Sequence, residues 1–440
     1  MTFIYVNMEL KIKSPNAKLL DILNRNPNTD LGLYLCPLKN GQIAGNVVNE
    51  NEYEVVFQDT TDSYSPEEGN SIDFQSYCSP LVVMHICNAL FSHILKSKKD
   101  FSEKPIKWLG ITQGEADTEP CIIEVYSFYI DSNWNRHGKF LLSKYLSGIE
   151  AQQQSHCVFK LTVTAKSVFE AFNLLAVTAL FTCVTNEYVQ RLYVDENLME
   201  KFGRILTNIE NIPYFVFYLF LLRAVKSPKQ FESLKPVFEK YLAAGGLQVN
   251  FVSGSTQYLR LVFITNLLEK DMPVLDIGCG ELLYYKKMMD NGFSAPYYAV
   301  DKDDAKEVLG EHIARHYDAD NLTFYPSLET FSSNEKLNII LTEVIEHNSL
   351  DEAKLLIQKA LTYNFHKFVI TTPNVEFNVF YSMEKDFRHE DHQFELTRNK
   401  FQAIINECVA NKNLVVEYFY LGDTINGLQP VQGCIISNIN

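Results

Sequence analysis

The chain has 440 residues, 46% of them hydrophobic, enough for two or three packed domains and too many for a mainly disordered protein. Its formal charge of -15, from 39 basic and 54 acidic residues, excludes a protein that coats nucleic acid non-specifically, though not one that grips a single nucleic-acid end in a locally basic cleft. The nine cysteines include no Cys-x-x-Cys pair, so free and mostly buried thiols in a reducing, cytoplasmic compartment are expected.

No basic-then-apolar leader opens the chain. Asn16–Asn24 has helical periodicity. The polar stretch Asp59–Asp73, with its Ser, Pro, Glu and Gly, is expected to be an exposed loop. Leu81–Leu95 is predicted as a helix and is followed by the basic run Lys96–Lys99. Ile122–Ile130 and Phe159–Thr164 are strand-like, and Val168–Val184 is an apolar helix. The apolar runs Leu174–Val184 and Ile212–Leu222 fall short of the roughly 18 to 20 residues needed to cross a bilayer, so core segments and no membrane contact are expected. Strands and helices here show no βαβ alternation, and an α+β domain over residues 1–245 is predicted.

Lys240–Ser255, with Ala-Ala-Gly-Gly and then Ser-Gly-Ser, separates this half from a second domain at 246–440. There, Val274–Ile277, Tyr297–Val300, Leu322–Tyr325, Asn338–Leu341 and Phe368–Thr371 read as buried parallel strands. Leu282–Asn291, Asp304–His316 and Leu350–Leu361 read as the helices between them. Leu414–Leu421 and Val431–Ser437 flank a Gly/Asp/Asn-rich turn and complete the pattern as a terminal hairpin. The fold class is α/β, with a doubly wound, mostly parallel sheet of seven strands.

Asp276-Ile277-Gly278-Cys279-Gly280-Glu281 follows the first of these strands. Glycines at 278 and 280 allow backbone to approach a bound ligand. A dinucleotide fingerprint needs a further glycine where Leu283 stands. Asp301 ends the second strand, where a carboxylate can accept from both hydroxyls of a ribose. The pattern D-x-G-x-G with that acid resembles the Rossmann-like S-adenosylmethionine-dependent methyltransferases. This makes Asp276, Gly278, Gly280 and Asp301 the candidate cofactor-binding residues.

Thr342–His347 reads T-E-V-I-E-H, at the carboxyl edge where such sheets bind substrate. Glu343, Glu346 and His347 have the spacing of a strand end feeding a helical turn, where i and i+3/i+4 side chains share a face. Mixed carboxylate and imidazole donors suit Mn, Co, Mg or Zn rather than a sulfur-rich site. Further on come T-T-P-N-V-E-F-N and F-R-H-E-D-H-Q-F-E-L-T-R. Together these segments resemble the RNA 3′-terminal ribose 2′-O-methyltransferases, which protect small RNAs in plants and animals and act in bacterial RNA repair. The resemblance spans about Val274–Phe401. It implies S-adenosylmethionine as methyl donor and one divalent metal, Mn or Co favoured over Mg, held by Glu343, Glu346, His347 and His392. His389 is then an outer or RNA-contacting histidine, Glu395 a partner for a ligating imidazole, and Arg388 and Arg398 contacts for phosphates. Thr372, Pro373 and Asn374 shape the pocket. The implied substrate is RNA with a free 2′,3′-diol at its 3′ end. Leu282 and Leu396 depart from the family, which has glycine and tryptophan there.

The first 240 residues resemble, more diffusely, the amino-terminal module of the bacterial repair branch. The similarity lies in Phe159–Thr164, Phe169–Val184 and Tyr193–Phe202. It implies a partner polynucleotide kinase–phosphatase–ligase whose ligase this module activates. Two alternatives stand beside RNA repair: a ligase-activating interaction protein with a secondary methyltransferase role, and 3′-end protection of small RNAs.

Overall fold

The computed structural model of the protein describes residues 8–25, 33–38, 41–59, 78–132, 134–135, 138–186, 196–303, 305–383 and 387–439. The chain forms two compact units, Met1–Tyr241 and Leu242–Asn440. Most of the loop expected at Asp59–Asp73 lies outside the described residues, as does the start of the Tyr193–Phe202 segment.

The first unit is built on seven antiparallel strands: β1 (Met8–Lys13), β2 (Leu33–Leu38), β3 (Gly41–Asn49), β4 (Glu52–Asp59), β5 (Cys121–Tyr129), β6 (Ile149–Ser155) and β7 (Val158–Ala165). Their order is β2-β3-β4-β1-β5-β7-β6. Alternation sets the faces: Leu10, Ile12, Ile123, Val125, Leu161 and Val163 point into the core. Helices α1 (Pro80–Leu90) and α2 (Val168–Thr185) also contribute to this core. The apolar run expected over Val168–Val184 makes an 18-residue helix, 83% buried in the unit, so its length and apolarity reflect a core position. Asn16–Asn24 is mostly turn, with one helical turn at Leu19–Ile22. Asn16 Oδ1 accepts from the Lys18 N–H at 2.9 Å, a local bond that competes with helix formation. The helix predicted to reach Leu95 ends at Leu90.

The second unit carries β8 (Val274–Ile277), β9 (Tyr297–Val300), β10 (Leu322–Tyr325), β11 (Leu337–Thr342), β12 (Phe365–Pro373), β13 (Leu414–Leu421) and β14 (Val431–Asn438). Their order is β10-β9-β8-β11-β12-β14-β13, with the first five strands parallel and the last two antiparallel. The expected mostly parallel seven-stranded sheet is therefore present. Crossover helices α3 (Leu283–Asp290), α4 (Ala305–Tyr317) and α5 (Leu350–Ala360) link the parallel strands.

The central parallel strands β8, β9, β11 and β12 are buried on both faces, so their side chains alternate between two core layers. Leu275, Ile277, Ile339, Leu341, Phe368 and Ile370 pack with Ile357, Phe401 and Ile405 on one side. Val274, Ile340 and Val369 pack with Tyr285, Tyr297 and Met288 on the other. The Gly/Ser-rich segment after Lys240 is not a plain linker. Its Val249–Asn250 pairs antiparallel with Thr424–Ile425, and the Val252 N–H donates to Asp423 at 2.7 Å.

Candidate functional site

The order reversal around β8 places the ends of β8 and β11 side by side at the carboxyl edge of the sheet, where open α/β sheets bind ligands. After β8 the chain makes a glycine turn. Gly278 has φ +75° and its N–H donates to the Val300 carbonyl at 2.7 Å. A Cβ on Gly278 would lie 2.4 Å from Val344 Cγ2. The glycine loop therefore sits directly against the E-V-I-E-H segment. Gly280, at φ +49°, would meet nothing within 4 Å, so its backbone borders open space. Asp301 Oδ2 accepts from the Gly280 N–H at 2.9 Å and Oδ1 accepts from the Asp303 N–H at 3.1 Å. The acid shapes the loop and keeps lone pairs for a ligand hydroxyl. Asp276 is buried beneath the loop and accepts from the Tyr297 hydroxyl at 2.6 Å. Burial pushes its carboxyl up to about 7.

Leu282, standing where the resembled family has glycine, adopts a left-handed backbone at φ +53° immediately before α3. Its side chain is fully buried in the layer with Cys279 and Tyr285. The backbone thus keeps the conformation glycine favours, and packing holds a leucine in it.

After β11 the chain makes a tight 3-10 turn at Ile345–His347, shorter than the helical face the spacing implied. Glu343 precedes it in a left-handed conformation, φ +53°. Its carboxylate is outside the group formed by Glu346, His347 and His392 and is held by other partners. Glu343 Oε1 accepts from Thr371 Oγ1 at 3.0 Å, and Oε2 pairs with Arg260 Nη1 at 3.1 Å. Arg260 had no place in the reading of the sequence. The available signal was its position as a lone charge in the apolar stretch Y-L-R-L-V-F-I, which forms the helix Thr256–Leu267. Burial is the largest single effect and works against its charge, but Glu343, Tyr284 and Glu346 together outweigh it and raise its pKa.

Glu346, His347 and His392 come together, their donor atoms within 4.8 Å of one another. Glu346 is 0% exposed, with Oε2 accepting from Thr372 Oγ1 at 3.0 Å and Oε1 left without a partner. Burial first, and the Glu343 charge second, raise its pKa well above the usual carboxylate range. The His347 and His392 rings meet edge to face at 4.9 Å. His347 Nδ1 is 3.1 Å from Asp391, and His392 Nδ1 is 2.7 Å from Glu395 Oε1. With Nδ1 engaged in each ring, Nε2 is the remaining donor. The loop carrying His392 is pinned to the turn by the Gln393 N–H, which donates to the Glu346 carbonyl at 2.8 Å.

His389 is exposed, its ring 5.1 Å from His392. Arg388 and Arg398 are not free surface cations. Arg388 is bound to Asn378 and to the Asn374 carbonyl. Arg398 donates to Gln429 and lies 4.0 Å from the centre of the Tyr420 ring. Asn374 is buried and caps the turn Val375–Tyr381 through the Glu376 N–H. Leu396, where the family has tryptophan, is buried beside Asn374, and its carbonyl accepts from Gln432 Nε2 at 2.7 Å.

This donor set fits a divalent cation on two grounds. Glu346 Oε1 is a buried, unpartnered carboxyl oxygen, costly to ionise unless a cation meets it, and two imidazoles bring nitrogens to the same place.

Residues 9–243 match the Hen1 N-terminal domain family. A chain in the solved structure of the Pnkp1/Rnl/Hen1 RNA repair complex is 45% identical, over 98% of this chain and 100% of that one, with a TM-score of 0.86. A small RNA 2′-O-methyltransferase of Caenorhabditis elegans is 29% identical over 187 residues, 36% of this chain and 42% of the relative. One from Tetrahymena thermophila is 40% identical over 77 residues, 17% of this chain and 18% of the relative. The chain thus spans less than half the length of these curated relatives. With more than half of its length matched, the chain belongs to the Hen1 N-terminal domain family.

Proposed function

We propose that this protein transfers a methyl group from S-adenosylmethionine to the 2′-hydroxyl of the 3′-terminal ribose of RNA, as a step in RNA repair. The observation that carries this reading is the cluster of Glu346, His347 and His392 against the glycine loop, with one buried Glu346 oxygen left unpartnered. Glu346, His347 and His392 would hold a divalent metal, Mn or Co favoured over Mg because two donors are imidazoles, with Glu343 beside them. Such a cation, when bound, lowers the pKa of a ribose hydroxyl and orients it.

The chain's own residues do the rest. Thr372 fixes one Glu346 oxygen, and Asp391 and Glu395 hold the two imidazoles by Nδ1. Gly278, Gly280 and Asp301 form the loop that would receive the cofactor, with Asp276 buried beneath it. The contact between Gly278 and Val344 keeps donor and acceptor sites adjacent, and proximity of that kind is a large part of group-transfer catalysis. The first unit would dock the chain on a polynucleotide kinase–phosphatase–ligase. The near full-length similarity to a chain of an RNA repair complex supports repair over small-RNA protection.

The test is incubation of the full chain with tritiated S-adenosylmethionine and RNAs that differ only at the 3′ end, with and without Mn. The free 2′,3′-diol is expected to be methylated. A 3′-phosphate, a 2′,3′-cyclic phosphate and a 3′-deoxy end are not. Mass spectrometry that found the methyl group on a base, an internal ribose or a 3′-phosphorylated end would overturn the proposal.

A further inference from the structure

Glu395 is the hub of a small hydrogen-bond lattice behind the histidines. Its side chain is 0% exposed and its Oε1 lies 2.7 Å from His392 Nδ1. Oε1 also accepts from the Arg388 backbone N–H at 2.7 Å, and Oε2 accepts from Asn378 Nδ2 at 2.6 Å. Asn378 is itself oriented, because its Oδ1 accepts from Arg388 Nε at 2.7 Å, which leaves the amide nitrogen to face Glu395. Arg388 Nη2 donates to the Asn374 carbonyl at 2.7 Å, and its guanidinium carbon stands 5.2 Å from the centre of the Tyr381 ring. Five hydrogen bonds therefore run from the turn Val375–Tyr381 and its cap through Arg388 to His392.

We infer that Arg388 and Asn378 are positioning residues that lock Glu395, and through it hold His392 as the tautomer protonated on Nδ1 with Nε2 aimed at the donor cluster. A neutral imidazole has one donor and one acceptor nitrogen, and the partner at Nδ1 selects between the two forms. A buried carboxylate performs this selection only when its own oxygens are held, and Asn378 and Arg388 hold them. Arg388 thus acts inward on the site rather than outward on a phosphate. The inference rests on the proposed role of His392 as a metal ligand.

The experiment uses the full chain, metal-free and labelled with 15N-histidine, followed by Mn titration. In the wild type the His392 ring is expected as one tautomer, protonated on Nδ1. Arg388→Ala and Asn378→Ala are expected to fold, to show both tautomers, and to bind Mn about 10- to 100-fold more weakly. Arg388→Lys keeps the charge but loses the planar fork and is expected to resemble Arg388→Ala. Folded variants with an unchanged single tautomer and wild-type Mn affinity would overturn the inference. So would an Arg388→Ala protein whose one defect is a raised KM for RNA, the mark of a phosphate contact. A wild type that binds no Mn sinks the metal reading instead, while the tautomer comparison in metal-free protein still decides the lattice.

Discussion

Leu282 sets two requirements against each other, which gives its replacement a sharp expectation. The side chain is fully buried and packs toward Gly310, where a Cβ would stand 3.4 Å from Leu282 Cδ1. The backbone is left-handed, at φ +53°. Leu282→Ala removes three carbons from a packed layer and leaves the backbone strain in place, for a loss of about 2–5 kcal/mol. Leu282→Gly removes one methyl more, about 0.8 kcal/mol, and adds about 0.4–1 kcal/mol of unfolded-chain entropy. It also relieves about 1–2 kcal/mol of left-handed strain. The last term offsets the other two, so the two variants should lie within about 1 kcal/mol of each other, although glycine ordinarily costs more than alanine next to a helix. Both tryptophans, Trp108 and Trp134, lie in the first unit. In urea unfolding, tryptophan emission therefore follows the first unit alone, and a far-UV circular dichroism transition that shifts while the emission transition stays in place belongs to the second unit. If Leu282→Gly is less stable than Leu282→Ala by more than about 2 kcal/mol, the strain argument fails. An alanine variant as stable as the wild type removes the packing argument.

Glu346→Gln keeps the shape and removes a carboxyl whose ionised form burial and Glu343 oppose, so stability should hold or rise by about 1 kcal/mol. Mn binding by calorimetry should fall by about 100-fold or more, and retained affinity would take Glu346 out of the metal site. In Gly278→Ala, a Cβ 2.4 Å from Val344 and the positive φ together should cost about 2–5 kcal/mol and displace the 3-10 turn. A variant that melts like the wild type and binds S-adenosylmethionine equally well would show that this contact is not close in solution. Asp276 is held protonated by burial up to about 7, against about 3.9 in an unfolded chain. Its contribution to stability is full below about pH 4 and is lost as pH rises through about 7. Relative to Asp276→Asn, wild-type stability should therefore fall by up to about 1.4 kcal/mol per pH unit across that window. Parallel curves for the two proteins refute the assignment.

The strands of the second unit were readable in the chain because the central ones are buried on both faces. Val274–Ile277 and Leu337–Thr342 are largely apolar whatever lies beside them, and the crossover rule then limits the topology. The glycine loop, the E-x-x-E-H turn and the D-H-x-F-E stretch were legible for a related reason: each encodes its chemistry within a few residues. The first unit was less legible. Its half-exposed strands, such as Ile149–Ser155, carry a mixed polar pattern, and others, such as Met8–Lys13 against Cys121–Tyr129, pair with partners far along the chain.

What the sequence determined by itself was which residues carry charge, imidazole and backbone freedom, and the periodicity that sorts them onto strands and helices. Tertiary structure alone decided how they face one another. Glu343 is three residues from Glu346, yet its carboxylate pairs with Arg260, 83 positions away. Arg388 has the composition of a phosphate contact, but Asn378 and the Asn374 carbonyl hold it inside the site. The physical reason is common to both. Burying a charged group is costly without a partner, and only the folded chain determines which partner is within reach.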